Sequence, residues 1–251
     1  MRKVFSAFCM ALSMYTVFPV PLKKWDEAAR PLMLLFLPIT GLLVGLLWYG
    51  LALIMQVLGF PKALYAAVLT IYPYQITGFL HLDGYMDCCD AILSRRTKEE
   101  KQKILKDPHV GAFAVISLAV LFLLCFAFFF SQSETAVLEA LIFIPACARC
   151  SSALCVLKLK PMSHSQFAGD FEKGKKKSFV LALSAILIIC LGASFASGGL
   201  GAFLSVLTAS LGCCAGILYA RAELGGMSGD VAGYGTVLGE AAALAAMIVF
   251  I

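Results

Sequence analysis

The chain has 251 residues, 61% of them hydrophobic and only 14% charged, and its mean hydropathy is +0.91. Soluble domains run near half apolar and a quarter charged. The composition therefore speaks against a soluble globule and for an all-α, polytopic membrane helix bundle forming one domain over 1–251. The net charge of +5 does not imply nucleic acid, because the basic residues are segregated by topology.

In chain order, Met1-Arg2-Lys3 precedes the apolar stretch Val4–Val20, which is short and ends at Pro19-Val20-Pro21. No small-x-small cleavage pattern follows it, so it reads as an interfacial or re-entrant helix rather than a removable signal. A crossing helix needs roughly 20 mainly apolar residues. Seven segments qualify: Leu32–Leu58, Ala63–Leu80, Gly111–Phe130, Ala136–Leu157, Phe179–Ala196, Leu200–Ala220 and Val231–Ile251.

With these spans, the segments 21–31, 81–110, 158–178 and 221–230 share one side and hold most of the 20 basic residues. The opposite connections hold only Lys62. By the positive-inside rule the basic side is cytoplasmic, which predicts a multi-pass protein of a bacterial cytoplasmic (inner) membrane with its long loops inside. Topology alone accounts for clusters such as Lys175-Lys176-Lys177. Most of the ten cysteines lie in apolar runs and read as small hydrophobes, Cys147-x-x-Cys150 included.

The chemistry-bearing stretch is His81-Leu82-Asp83-Gly84-Tyr85-Met86-Asp87-Cys88-Cys89-Asp90. Asp83, Asp87 and Asp90 are spaced i, i+4, i+7 and share one helix face. Three like charges on a stripe repel unless a cation lies among them, and carboxylates are the hard ligands that Mg²⁺ or Mn²⁺ prefers. The competing reading is a solvated acidic helix end balanced by Arg95, Arg96 and Lys98. The apolar neighbours Leu82, Tyr85, Met86, Ala91, Ile92 and Leu93 speak against it.

A second acidic stretch, Gly225-Gly226-Met227-Ser228-Gly229-Asp230, enters the last span on the same side. Its glycines let backbone approach a ligand, and Asp230 could complete a metal site. Arg149 and Glu240 lie within spans, as a buried ion pair or as contacts to a polar substrate. Lys106-Asp107-Pro108 reads as the start of the following helix, with Asp107 as N-cap or Lys106 on phosphate. Gly169–Lys176 matches G-x-x-x-x-G-K but lacks the Ser/Thr and the strand of a P-loop.

These residues resemble the membrane-bound cobalamin synthases, the adenosylcobinamide-GDP ribazoletransferases. The family's G-x-x-H-x-D-G-x-x-D-x-x-D is similar to Gly78–Asp90 here. M-K-D-S-x-x-G-x-x-G-V resembles Leu105–Val115, and T-G-D-x-x-G followed by glutamate resembles Ser228–Gly233 with Glu240. T-x-x-P-V-P matches Thr16–Pro21. Departures are Ser228 for Thr, Ala114 for Gly, Val17 where Arg is common, and the stretch Leu159–Ser165.

The resemblance implies Mg²⁺-dependent (or Mn²⁺-dependent) joining of α-ribazole, or its 5′-phosphate, to adenosylcobinamide-GDP with release of GMP. It implies metal on Asp83, Asp87 and Asp90, with Asp230. Phosphate or substrate contacts would come from Arg95, Arg96, Lys106, Asp107, Arg149, Ser228, Gly229 and Glu240. His81 or an aspartate would take a proton from the attacking 5′-hydroxyl or phosphate. Partners would be these substrates and the lipid bilayer, with self-association or contact with other corrinoid-assembly enzymes as further classes.

Two other readings stand beside it. CDP-alcohol phosphotransferases also place spaced aspartates at a membrane face, but their D-G-x-x-A-R is not met by Asp83–Cys88. Transporters put polar groups near mid-membrane and often repeat their halves. Here the acids cluster at one face.

Overall fold

The computed structural model describes residues 2–20, 25–132, 137–162 and 177–250. The P-loop-like stretch 169–176, with Lys173, Lys175 and Lys176, lies outside the described residues, as does 163–165 of the departing stretch. The described chain is helical: α1 (Arg2–Tyr15), α2 (Met33–Val57), α3 (Lys62–Ile76), α4 (Leu80–Leu93), α5 (Lys98–Ile104), α6 (Ala112–Ser131), α7 (Ala140–Lys158), α8 (Lys177–Leu224) and α9 (Gly229–Val249). In lipid every backbone amide must be paired within its own segment, and uninterrupted helices do this.

Five described helices are long and apolar enough to cross a membrane, and α3 with α4 forms a further candidate as a pair bent by 95°. The 48-residue α8 is two antiparallel arms joined at Gly198 and Gly199. A continuous helix would separate residues 183 and 214 by about 46 Å. Yet Cys150 Sγ on α7 meets the Leu183 carbonyl at 3.0 Å, and Cys155 Sγ lies 3.9 Å from Cys214 Sγ. Gly199 takes φ +63 at the turn, a conformation glycine adopts without steric cost. The two apolar segments read at 179–196 and 200–220 are therefore separate arms, as expected.

One expected span is not straight. The apolar run Ala63–Leu80 ends as a helix at Ile76 after 15 residues, too short to cross alone. Gly78 (φ +59) and Phe79 (φ +61) then turn the chain, and α4 folds back against the bundle. The acidic motif lies on a helix, as its spacing implied, with His81, Leu82, Gly84, Tyr85, Cys88 and Cys89 buried, and this helix follows a bend rather than a completed span. The helix α1, 14 residues long, is too short to span, in keeping with the interfacial or re-entrant reading.

Close helix contacts are made by small residues, as expected where lipid supplies no hydrophobic drive between helices. A Cβ on Gly41 or Gly45 of α2 would fall 2.6 Å or 2.2 Å from α7 carbonyls. Gly212 and Gly216 of α8 face Gly239 and Gly235 of α9, two G-x-x-x-G pairs meeting face to face.

The connections rich in basic residues gather at one end. Lys101 pairs with Glu223, and Gln102 Nε2 donates to the Leu224 carbonyl at 2.7 Å. Met162 N donates to the Met227 carbonyl (2.9 Å) and Met227 N to that of Lys160 (3.0 Å). At the opposite end Lys62 lies 5.7 Å over the Phe130 ring. The shared side of the 95–106, 158–160 and 221–228 segments, expected from charge placement, is thus met.

Candidate functional site

The site is built where α4 crosses α9. Gly84 makes the crossing close: a Cβ there would meet Asp230 Cα at 2.8 Å. One turn earlier on α4, a Cβ on Gly233 would meet the His81 carbonyl at 2.9 Å. Tyr85 and Tyr234 stack beside the crossing with centroids 5.6 Å apart, and the Tyr85 hydroxyl donates to the Ser117 carbonyl of α6 at 3.4 Å.

This contact brings Asp83 and Asp87, one helical turn apart, against Asp230 from the far end of the sequence. Asp87 lies within electrostatic reach of Asp83, Asp230 and Asp90, and Asp230 within reach of Asp83. Asp83 is exposed, while Asp87, Asp90 and Asp230 are half-buried. Asp90 stands apart. Its carboxylate lies against Gly111, where a Cβ would come within 2.1 Å of both oxygens. Gly111 is the N-cap of α6, which has no side-chain cap of its own, so Asp90 faces the positive end of that helix.

Asp230 is itself set by the start of α9. The Ser228 hydroxyl accepts from Val231 N at 3.2 Å and donates to Asp230 Oδ2 at 3.3 Å. Gly229 is exposed at the first position. The preceding loop is held by Gly226, whose missing side chain admits Met162 N, 2.6 Å from where a Cβ would stand.

Oxygen-only donors from two crossing helices suit a hard cation in type. Among the described residues, however, no three His, Cys, Asp or Glu side chains are grouped so as to hold a metal ion. The carboxylates are neighbours rather than a closed cage.

Deeper in the bundle, Arg149 and Glu240 form the ion pair that the sequence offered as one reading. Nη1 to Oε1 is 2.6 Å, with side chains 1% and 5% exposed, and Arg149 Nη1 also donates to the Pro145 carbonyl at 3.0 Å. At 1.5 Å per residue Arg149 lies about 14 Å from the helix end at Lys158 and Glu240 about 17 Å from that at Gly229. His81, 9% exposed, lies within electrostatic reach of Arg149. Its Nδ1 and Arg149 Nε are buried without a hydrogen-bond partner.

The 94–111 connection differs from expectation. Asp107 does not cap α6, which starts at Ala112 behind Gly111. Instead Asp107 Oδ1 accepts from His109 N at 3.0 Å and lies 2.6 Å from His109 Nδ1. These contacts hold its carboxyl below the usual range. The helix cap in this region is Thr97, whose hydroxyl and the Glu100 side chain bond reciprocally at the start of α5. Arg95, with φ +54, Arg96 and Lys106 are exposed and flank the Asp90–Gly111 contact along the chain.

Sequence reasoning did not find Gly84, Gly233 or Gly111 as points of close approach, nor the Lys101–Glu223 pair. The G-x-x-x-G spacings at 212–216 and 235–239 were a legible signal for the neighbouring seam.

Comparison with known proteins decides the family. The family model described as Cobalamin-5-phosphate synthase matches residues 7–248. The chain belongs to that family. An adenosylcobinamide-GDP ribazoletransferase of Clostridium botulinum (strain Eklund 17B / Type B) is 41% identical, covering 100% of both chains. One of Clostridium perfringens (strain SM101 / Type A) is 39% identical over 96% of both chains. One of Geobacillus kaustophilus (strain HTA426) is 30% identical over 93% of this chain and 91% of its own. No solved structure matches. The synthase family thus extends over nearly the whole chain, both halves of the α4–α9 crossing included.

Proposed function

We propose that this chain is an adenosylcobinamide-GDP ribazoletransferase. It would move the adenosylcobinamide phosphoryl group from adenosylcobinamide-GDP onto α-ribazole or its 5′-phosphate and release GMP. The observation that carries the reading is the α4–α9 crossing, where Gly84 lets Asp83 and Asp87 stand against Asp230. Membership in the family supports the substrate class.

Phosphoryl transfer depends on in-line positioning and charge neutralisation more than on covalent chemistry. Asp83, Asp87 and Asp230 would hold Mg²⁺ (or Mn²⁺), with Asp90 as a further carboxylate whose present contact is the start of α6. Metal bound there supplies charge neutralisation on the pyrophosphate and orients the leaving phosphate. Gly229 and Gly111 open α9 and α6, so the positive ends of two helices favour phosphate oxygens here, the second now facing the Asp90 carboxylate. Arg95, Arg96 and Lys106 add mobile positive charge at the same end.

The acceptor's proton goes to His81 or to an aspartate of the cluster. This departs from the expected attack by the 5′-hydroxyl or phosphate: an acceptor whose 5′-phosphate is retained in the product must attack through another ribose hydroxyl. The Arg149–Glu240 pair fixes the bundle floor beneath His81. The basic connections gathered at this end support a site facing the cytoplasm of a bacterial inner membrane, by the positive-inside rule.

Purified protein in detergent or liposomes, given adenosylcobinamide-GDP, α-ribazole and Mg²⁺, is expected to release GMP in step with a new corrinoid product. An absence of GMP under these conditions would overturn the reading.

A further inference from the structure

The sequence motif carries no explanation of why α4 leaves α3 at a sharp bend, nor of what fixes His81. Two successive residues in the left-handed region make the bend, and the second is Phe79, φ +61. A bulky residue held there is strained and persists only where surrounding contacts over-determine it. The contacts come from the end of α1. Val17 N donates to the Ile76 carbonyl at 2.9 Å, in the last turn of α3. A Cβ on Gly78 would meet the Val17 side chain at 3.5 Å. The Thr16 hydroxyl donates back to the Leu12 carbonyl at 2.6 Å and accepts from Phe18 N at 3.3 Å, tying this short strap to α1.

Tyr15, the last residue of α1, lies with its ring 11° from parallel to the His81 ring, centroids 6.1 Å apart, within the range of favourable aromatic pairs. Arg149 of α7 lies within electrostatic reach of the His81 ring, and α9 approaches the His81 backbone at Gly233. His81 Nδ1 has no partner in the described protein, so no hydrogen bond at that nitrogen orients the imidazole. The Tyr15 ring is the contact that lies nearly parallel to it.

We propose that Tyr15 is a positioning residue: its ring sets the plane of the His81 imidazole, while Thr16 and Val17 brace the bend that launches α4. This rests on the reading of α4 as the catalytic helix. It gives the short N-terminal helix a role in catalysis beyond lying at the membrane surface.

The test compares Tyr15→Phe, which keeps the ring, with Tyr15→Leu, which keeps apolar bulk without a flat face. Activity is followed as GMP release. Protein labelled in its three histidines gives ring-proton NMR shifts, with His81 assigned by His81→Gln. Tyr15→Phe is expected to keep kcat within about twofold of wild type, since only the ring stack is invoked. Tyr15→Leu is expected to lower kcat by about ten- to a hundredfold at nearly unchanged KM, the cost of a misplaced catalytic group. It should also move the His81 ring resonance downfield as the aromatic face is lost, while Tyr15→Phe leaves it in place. Equal kcat in the two variants, or a His81 resonance unmoved in Tyr15→Leu, overturns the proposal. If wild-type protein releases no GMP, the functional reading fails, while the resonance comparison still decides the positioning claim.

Discussion

The helix α9 makes two glycine crossings that carry different loads. Against α8, Gly235 and Gly239 meet Gly216 and Gly212, and no carboxylate pair is brought together there among the described residues. Against α4, Gly233 and the Asp230 backbone meet His81 and Gly84, and the contact sets carboxylates beside one another. The same device, close backbone approach, secures the bundle at one crossing and aligns charge at the other. Small residues in a membrane helix therefore mark both packing and function, and the flanking polar residues tell them apart.

The largest expected effect breaks the packing seam. A Cβ on Gly239 would stand 2.4 Å from the Ala209 carbonyl, so Gly239→Leu should yield no monodisperse protein by size-exclusion chromatography. Recovery of active, folded Gly239→Leu would refute the seam.

Next comes the ion pair beneath the site. Glu240→Gln leaves Arg149 buried and unpaired, with an expected loss of about 3–5 kcal/mol, read as thermal unfolding in detergent. Arg149→Met with Glu240→Leu should recover most of that stability. If the pair also touches substrate, the double variant stays inactive; restored activity would make it purely structural.

At the functional crossing, Gly84→Ala should separate activity from stability. Its Cβ would press on Asp230 Cα at 2.8 Å, an overpacking cost of about 1–3 kcal/mol. A shift of the carboxylates by an ångström can cost about a hundredfold in rate. A variant losing stability but retaining activity would show the crossing to be mere packing.

The smallest effect is at the surface. Thr97→Ala removes the reciprocal cap of α5. The Thr97 amide and hydroxyl hold the Glu100 carboxyl below its ordinary value. That stabilisation is present above the ordinary glutamate range and fades as pH falls through the lower folded value. At neutral pH the variant should unfold slightly earlier than wild type, with the difference narrowing in acid as the hydroxyl's bond to the Glu100 carboxylate is lost, the bond from Glu100 N persisting, and with turnover unchanged. A gap that persists unchanged in acid would contradict the capping account.

Much of the architecture was legible because a membrane segment must be long, apolar and helical, and loop charge follows from topology. The aspartate stripe was legible from its i, i+4, i+7 spacing, which α4 realises. The bend was not. Ala63–Leu80 is mainly apolar, with Thr70, Gln75 and Thr77 too few to break the run, and hydropathy carries no trace of left-handed backbone at Gly78 and Phe79. Asp107-Pro108 carried a cap signature, yet the Asp107 carboxylate bonds His109 and the helix waits until Ala112. The Asp90–Gly111 and Tyr15–His81 contacts join segments distant along the chain, where spacing rules do not reach.

On the function proposed above, the α4–α9 crossing would hold the divalent metal used in pyrophosphate cleavage. The most direct measurement is GMP release as a function of Mg²⁺ concentration in wild type and in Asp83→Asn. The account predicts activity that rises with Mg²⁺ and vanishes with chelator in wild type. In Asp83→Asn it predicts a rate lower by about 10²–10³-fold, the scale of losing one electrostatic contact to a transition state, with a shifted Mg²⁺ requirement. Superimposable Mg²⁺ curves of equal amplitude for the two proteins would contradict it.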